Sequence, residues 1–175
     1  MIETRIKETV RDVADFPKPG IVFKDITPIL KDGLLCAQIT EALAAQLSNI
    51  DVDVVVGIES RGFLFGMLLA QALQVPFVPI RKAGKLPFKT IKQACNLEYG
   101  SAVLELHEDA FLPGQKVLIH DDLLATGGTV VAAAKLVNML NAEVVGFSFI
   151  IGLEFLKGRE RLAESNAPVF TLASY

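Results

Sequence analysis

Two adjacent carboxylates followed by a pair of glycines form the most chemically suggestive segment of the chain, KVLIHDDLLATGGTV at 116–130. Backbone N–H groups at such a strand-to-helix turn converge on a concavity that suits a phosphate, and glycines permit its close approach. Asp121 and Asp122 would accept hydrogen bonds from the hydroxyls of a sugar carrying that phosphate. An ordinary capped turn is the alternative interpretation. The residues expected to bind the phosphate are Ala125, Thr126, Gly127, Gly128 and Thr129.

Hydrophobic periodicity predicts the elements that must hold this segment in place. Alternating strand and helix patterns through 52–151 predict an α/β fold, an open doubly wound parallel sheet with flanking helices. In such sheets ligands gather beyond the carboxyl ends of the strands, which is where the two acids would lie. Helices are predicted at 2–13, 34–47, 61–73, 126–141 and 155–163, and strands at 52–58, 76–80, 116–122, 143–151 and 168–172.

Three other stretches break this alternation. Prolines make a regular helix unlikely in 16–30, and residues 81–95 are predicted to be a lysine-rich loop. Alternation within 97–111 predicts an antiparallel, hairpin-like piece. Because no repeat or linker divides the chain, we expect a single domain over 1–175.

Composition excludes several classes of protein. The 175 residues carry a net charge of -3, which argues against binding to nucleic acid or to an acidic membrane. Two cysteines and two histidines are too few for a disulfide framework or a Cys/His zinc site. A polar N-terminal stretch and apolar runs shorter than roughly 18 residues predict a cytoplasmic protein. Phe63 stands where a P-loop needs its lysine, and no dinucleotide-binding glycine pattern follows the first strand.

The chain resembles the type I phosphoribosyltransferases, enzymes that use 5-phosphoribosyl pyrophosphate, in five segments that occur in the family's order. DDLLATGGT is similar to the family signature, and its Leu-Leu-Ala-Thr-Gly-Gly wording is similar to that of the adenine-using members. Two departures are His120, where an aliphatic residue is usual, and 93–95, where relatives tend to carry a tyrosine. The other four segments lie at 15–30, 57–66, 81–87 and 97–100.

The resemblance implies an N-terminal hood over the base pocket, residues 1–32, and a mobile lid loop, residues 81–100. It also implies cations that neutralise a leaving pyrophosphate, with Glu59 in the adjoining loop. A solvated basic loop is the alternative, and Lys89 and Lys92 are expected to be solvated. The implied pyrophosphate contacts are Ser60, Arg61, Arg81, Lys82 and Lys85.

Base recognition is implied for the segment around Phe23, whose ring would stack on a purine; a plain core position is the alternative. Glu98 is implied to handle a purine proton, against the alternative of an ordinary loop acid. Tyr99 would help to close the lid or simply lie at its edge. The implied adenine contacts are Val22, Phe23, Lys24 and Leu123.

The implied reaction is transfer of a phosphoribosyl group to adenine, giving AMP and pyrophosphate through an oxocarbenium-like transition state. Glu98, Asp121 and Asp122 are the expected catalytic residues, and Mg²⁺ would be carried mainly by substrate oxygens, without a dedicated protein cage. The resemblance also implies a homodimer, with the faces near 61–73 as candidates. The alternatives are a transferase for another purine base, and a regulatory protein that senses phosphoribosyl pyrophosphate.

Overall fold

The computed structural model describes residues 1–97 and 100–175, which form one seven-stranded sheet with flanking helices and one separate hairpin. Among these residues, no helix is both long and apolar enough to cross a bilayer. The helices are α1 (Ile2–Thr9), α2 (Gly33–Gln46), α3 (Gly62–Leu73), α4 (Gly128–Met139) and α5 (Gly158–Leu162). The strands are β1 (Arg11–Ala14), β2 (Val22–Asp25), β3 (Val54–Ile58), β4 (Phe77–Lys82), β5 (Thr90–Leu97), β6 (Gly100–His107), β7 (Lys116–Leu124), β8 (Glu143–Gly152) and β9 (Val169–Ser174).

The large sheet confirms the predicted parallel α/β architecture. Its order is β5-β6-β4-β3-β7-β8-β9, parallel from β4 to β9, with β5 and β6 added as an antiparallel hairpin. All residues of β3 are buried, as expected for a strand covered on both faces. The chain winds from β3 toward β4 and later from β7 toward β9. The border between β3 and β7 is therefore the topological switch point, where ligands bind in sheets of this kind.

Alternate side chains of the two central strands fill two separate cores. Val55 and Leu118 pack with Phe65 in the core under α1, α2 and α3. Val56 and Ile119 lie in the other core, with α4 and the β5–β6 hairpin. The two-residue period of a strand sends neighbouring side chains to opposite faces. Both central strands are thus held from both sides up to their carboxyl ends.

The N-terminal segment differs from the helix predicted over 2–13. Helix α1 ends at Thr9, and β1 then pairs antiparallel with β2 inside the proline-rich segment. Two pairs of opposite charge face each other across this hairpin, Arg11 with Asp25 at 3.0 Å and Lys24 with Asp12 at 2.7 Å. Such cross-strand pairs stabilise a hairpin but leave no trace in hydrophobic periodicity, so the prediction extended the helix wrongly.

Part of the loop predicted over 81–95 is strand instead. β4 continues through Lys82, and β5 begins at Thr90 and pairs with β6 along its length. Ile91 is partly buried and Cys95 is buried, while Lys92 is exposed, an alternation that the many lysines hide in the sequence. The antiparallel piece predicted within 97–111 contains β6, the second strand of this hairpin.

His120 is fully buried in the middle of β7. Its Nδ1 lies 3.4 Å from Ser148 Oγ, whereas Nε2 has no hydrogen-bond partner among the described residues. Burial lowers the pKa of His120 to about 3. The imidazole is therefore neutral at physiological pH and acts as a packed strand side chain, in the place of the aliphatic residue expected from the family pattern.

Replacing His120 with valine should remove an acid sensitivity of the fold. The unfolded chain takes up this proton below about pH 6.5, but the folded protein does so only near pH 3, so stability falls as pH drops between these values. We expect the free energy of unfolding of the wild type, relative to His120→Val, to fall by about 1.4 kcal/mol per pH unit in that window. Urea unfolding from pH 7.5 to 4.5 measures it.

Ser148→Ala is the matched control, because it removes the partner of Nδ1 but leaves the buried ring. Its pH profile should remain parallel to that of the wild type. Parallel profiles for His120→Val and wild type would contradict the prediction.

Candidate active site

The carboxyl ends of β3, β4 and β7 lie at one edge of the sheet because these strands are parallel neighbours. The segments that follow them are 59–61, 83–89 and 125–127. The described residues to which a ligand-binding role was assigned from sequence lie on these segments, on the adjoining ends of β4, β7 and α4, or on the hairpin β1–β2. Glu98 and Tyr99 lie outside the described residues.

Asp121 and Asp122 lie within β7, which continues to Leu124 rather than ending at residue 122 as predicted. Asp122 is 2% exposed, and Asp121 is half-buried. The backbone N–H of Asp122 donates to Asp121 Oδ1 at 2.9 Å. The fold therefore holds two neighbouring carboxyl groups in a largely water-excluded position at the switch point.

Burial dominates the electrostatics of this acidic pair. Burial and the adjacent Asp122 charge raise the pKa of Asp121 well above its usual value. Burial also raises the pKa of Asp122, against the lowering effect of the Arg61 guanidinium. Asp122 Oδ2 lies 3.1 Å from Arg61 Nε, yet it accepts no well-aligned hydrogen bond from any described residue. This buried carboxylate oxygen therefore has an ion-pair partner but can still accept a hydrogen bond from the hydroxyl of a ligand.

Arg61 joins the acidic pair to the hood. Its guanidinium carbon lies 4.8 Å from the centroid of the Phe23 ring, while its Nε faces Asp122. The cation therefore lies between the side chain predicted to stack on the base and the carboxylate predicted to bind the sugar. The resemblance assigned Arg61 to pyrophosphate, and its contacts with Phe23 and Asp122 are visible only in the folded chain.

The hood residues present an aromatic surface rather than a closed core. Phe23 is partly exposed and meets Phe16 edge-on at 5.2 Å between ring centroids. Val22 is half exposed on the same strand, and the Lys24 ammonium lies 4.0 Å from the Tyr175 ring centroid. Leu123 packs at the edge of the core under α1 to α3. The alternative of Phe23 as a plain core residue does not match this exposure.

Glu59 organises the start of the basic segment, a role that the sequence did not single out. It accepts hydrogen bonds from Arg81 Nε at 3.2 Å and from the backbone N–H of Lys82 at 3.0 Å. Burial raises the pKa of Glu59, but these two donors outweigh it and hold the pKa below its usual value. Arg81 also donates to the carbonyl of Lys85 at 3.0 Å, so it is a structural link as well as a cation. Ser60, between Glu59 and Arg61, is exposed.

The segment predicted to bind phosphate is a tight turn into α4. Gly127 adopts a left-handed φ of 79° and precedes the first residue of the helix, Gly128. The first N–H groups of a helix have no partner within it, so those of this turn are free to meet an anion. Thr126 and Thr129 are partly exposed beside it. This matches the strand–turn–helix geometry predicted for residues 125–129.

Gly158, at the start of α5, packs directly against the backbone of this turn. This residue was not identified from the sequence as part of the site. A Cβ on Gly158 would lie 2.1 Å from the carbonyl oxygen of Ala125. Arg161 on the same helix donates to the Thr126 carbonyl at 3.5 Å. No local pattern in the segment 158–162 signals a partner more than thirty residues away, so only the fold reveals the contact.

The described residues contain no group of three His, Cys, Asp or Glu side chains placed to hold a metal ion. Lys89 and Lys92 are exposed, as expected. The candidate site thus consists of an acidic pair, a glycine turn at the start of α4, a basic segment and the aromatic side chains of the hairpin β1–β2 and its neighbour Phe16.

Comparison with known proteins agrees with this geometry. A family model described as a phosphoribosyl transferase domain matches residues 27–173. The adenine phosphoribosyltransferase of Cytophaga hutchinsonii is 47% identical over 100% of this chain and 97% of its own. The crystal structure of adenine phosphoribosyltransferase from Thermoanaerobacter pseudethanolicus has a TM-score of 0.95, at 47% identity over 100% of both chains. That of Saccharomyces cerevisiae, complexed with adenine and an imino-altritol bisphosphate, has a TM-score of 0.90 at 43% identity over 98% of each chain.

The chain therefore belongs to the phosphoribosyl transferase family. Within that family it groups with the adenine phosphoribosyltransferases, which it matches along essentially their whole length.

Replacing Gly158 with alanine should destabilise the anion-binding turn, because the added methyl group meets backbone rather than a movable side chain. We expect the free energy of unfolding, measured with urea, to fall by about 1–3 kcal/mol. Gly33→Ala is the matched control, since a Cβ there meets nothing within 4 Å at the first residue of α2. Equal stability of the two variants would contradict the predicted contact.

Proposed function

We propose that this chain transfers the 5-phosphoribosyl group from 5-phosphoribosyl 1-pyrophosphate to adenine, forming AMP and releasing pyrophosphate, a purine-salvage reaction. The observation that carries the proposal is the adjacent acids Asp121 and Asp122, of which Asp122 is buried, followed after two residues by a glycine turn into α4 at the switch point. The full-length match to adenine phosphoribosyltransferases supports the reaction, and the adenine bound in the yeast relative supports the choice of base.

The ribose is proposed to lie against the acidic pair. Its hydroxyls donate to Asp121 and to Oδ2 of Asp122, and the negative charge offsets the oxocarbenium character that develops as pyrophosphate leaves. The 5'-phosphate binds the N–H groups and hydroxyls of residues 125–129. Binding of the 5'-phosphate positions the ribose carbon at which pyrophosphate is replaced by the base. Binding energy far from the broken bond therefore contributes to the rate.

The pyrophosphate is proposed to be met by Ser60, Arg61, Arg81, Lys82 and Lys85. Neither the Lys82 nor the Lys85 ammonium lies within 4 Å of a carboxylate oxygen of a described residue, which supports their availability to a polyanion. Arg61 neighbours both Asp122 and Phe23, which supports a place for its charge between the proposed ribose and base sites.

Adenine is proposed to stack on Phe23, with backbone groups of Val22 and Lys24 at its edge and Leu123 below. Backbone carbonyls accept from an exocyclic amine but leave a 6-oxopurine unpaired, which is the basis for selecting adenine. Glu98 is proposed to hold or remove a purine proton as the new bond forms. Within the predicted lid, residues 81–100, the part that follows the basic loop 83–89 is proposed to close over the substrates and exclude water.

Mg²⁺ is the proposed cofactor, and when bound it neutralises charge on the pyrophosphate. Carboxylate oxygens suit this hard cation, and the oxygens of Asp121 and Asp122 fit that chemistry at the ribose end. Oxygen atoms of the substrate are proposed to supply most of the ligands to the magnesium ion.

We further propose that the protein acts in the cytoplasm as a homodimer. Exposed apolar side chains on α3 support this assembly, since Leu64, Met67 and Leu68 are 44%, 54% and 38% exposed. A surface of this kind on a single helix is typical of a contact with another chain.

Turnover of purified protein with Mg²⁺, phosphoribosyl pyrophosphate and each purine base in turn tests the function. We expect AMP and pyrophosphate with adenine, and no nucleotide with hypoxanthine, guanine or xanthine. Turnover with a 6-oxopurine instead would retain the ribose and phosphate sites but overturn the base pocket. Binding of phosphoribosyl pyrophosphate without turnover of any base would favour the regulatory alternative.

Asp122→Asn should separate catalysis from folding. The amide keeps the shape of the side chain but removes the charge that faces the ribose, so we expect kcat to fall by about a hundredfold or more. The free energy of unfolding should change by less than about 1 kcal/mol, because relief of a buried charge compensates for the lost ion pair with Arg61. Asp51→Asn, at an exposed ion pair with Lys116, is the control. Unchanged turnover in Asp122→Asn would remove this carboxylate from the ribose site.

A further inference from the structure

Glu105 is a buried carboxylate in the middle of β6, with 2% of its surface exposed. Its Oε1 accepts hydrogen bonds from the backbone N–H groups of Lys85 and Leu86, both at 2.8 Å. Its Oε2 lies 3.4 Å from Thr90 Oγ1. The Glu105 side chain of β6 therefore fixes the backbone of the basic loop, residues 83–89, by hydrogen bonds.

Glu59 also accepts a hydrogen bond from a backbone N–H group, immediately before this loop. Glu59 binds the end of β4 through Arg81 and the N–H of Lys82, whereas Glu105 binds the backbone two to four residues later. The backbone N–H of Ala83 also donates to the carbonyl of Val103, at 2.8 Å. The stretch from Lys82 to Leu86 is thus fixed at both ends and at an intermediate point.

The charge of Glu105 is directed to the backbone and not to the lysine side chains. Burial raises the pKa of Glu105, but the N–H groups of Leu86, Gly84 and Lys85 outweigh burial and hold the pKa below its usual value. By register, Arg81 of β4 and Lys92 of β5 lie directly opposite Glu105 on the two flanking strands. An acid placed among so many cations therefore orders the loop without forming an ion pair with Lys82 or Lys85.

We propose that Glu105 is a positioning residue for the pyrophosphate half of the substrate. By holding the backbone at 85–86, it presents Lys82 and Lys85 in a fixed arrangement before the substrate arrives, so that less ordering remains to be done on binding. The proposal rests on the function proposed above and assigns no contact between Glu105 and any reacting atom.

Two conservative variants separate reach from charge. Glu105→Asp keeps the charge but withdraws the oxygens by one methylene, so we expect KM for phosphoribosyl pyrophosphate to rise about tenfold or more. Glu105→Gln keeps an acceptor oxygen at the same reach, and Thr90 Oγ1 can accept from its amide, so its KM should stay within about threefold of wild type. In both variants KM for adenine should remain within about twofold, because the hood is untouched.

Glu108→Ala is the matched control, because this carboxylate lies just beyond β6 and forms only an exposed contact of 3.9 Å with Lys89. If Glu105→Asp raised KM for adenine as much as KM for phosphoribosyl pyrophosphate, the proposal would be overturned. An unchanged KM for phosphoribosyl pyrophosphate in this variant would also overturn it. Glu105→Gln as impaired as Glu105→Asp would overturn it too, since an acceptor oxygen at the correct reach would then fail to maintain the arrangement of the loop.

Hydrogen exchange of the wild-type protein without ligand provides a test that does not depend on a variant folding. The amides of residues 85 and 86 should be protected, whereas exchange at the rate of an unstructured loop would overturn the proposal. A wild-type protein without turnover would count against the proposed function and leave this measurement to decide the role of Glu105.

Discussion

The burial of two adjacent carboxyl groups at the end of a central strand is the constraint on which the rest of the structure depends. Removing charge from water is costly, and the Arg61 guanidinium offsets this cost incompletely, because burial still raises the pKa of both acids. Such a pair is stable only where the surrounding strands and helices hold it from both faces. The two cores around β3 and β7 supply that support, and a sugar hydroxyl can then supply the missing hydrogen bond.

An unfavourable concentration of charge also has to be stabilised in the basic part of the site. The basic loop and the end of β4 carry several cations, and repulsion between these cations would favour a more extended loop. Glu59 and Glu105 counter this by binding backbone N–H groups and one arginine, so the loop is ordered while the two lysine ammoniums remain available. Carboxylates thus occur in two settings in this fold: the adjacent pair in β7, which we propose binds the ribose, and Glu59 and Glu105, which bind protein backbone beside β4.

Much of the fold was predictable because parallel strands buried on both faces leave apolar runs that few other structures produce. The strands β3, β7 and β8 and the helices after them were recognised in this way. The strand β6 lies within the antiparallel piece predicted at 97–111. The hairpin β1–β2 and the strand β5 were not recognised, since they depend on cross-strand charge pairs and on lysines at exposed positions. Pairing between segments is invisible to a pattern measured along a single segment.

For the site, the sequence by itself determined which chemical groups the chain carries: paired acids, a glycine turn and a cluster of cations, in an order that resembles one enzyme family. Only the tertiary structure decided which of these groups meet. It placed Arg61 between Phe23 and Asp122, Gly158 behind the anion-binding turn, and Glu105 beneath the basic loop. The reason is physical: residue type and local spacing set chemistry and secondary structure, whereas distances across strands and burial arise only once the chain has packed.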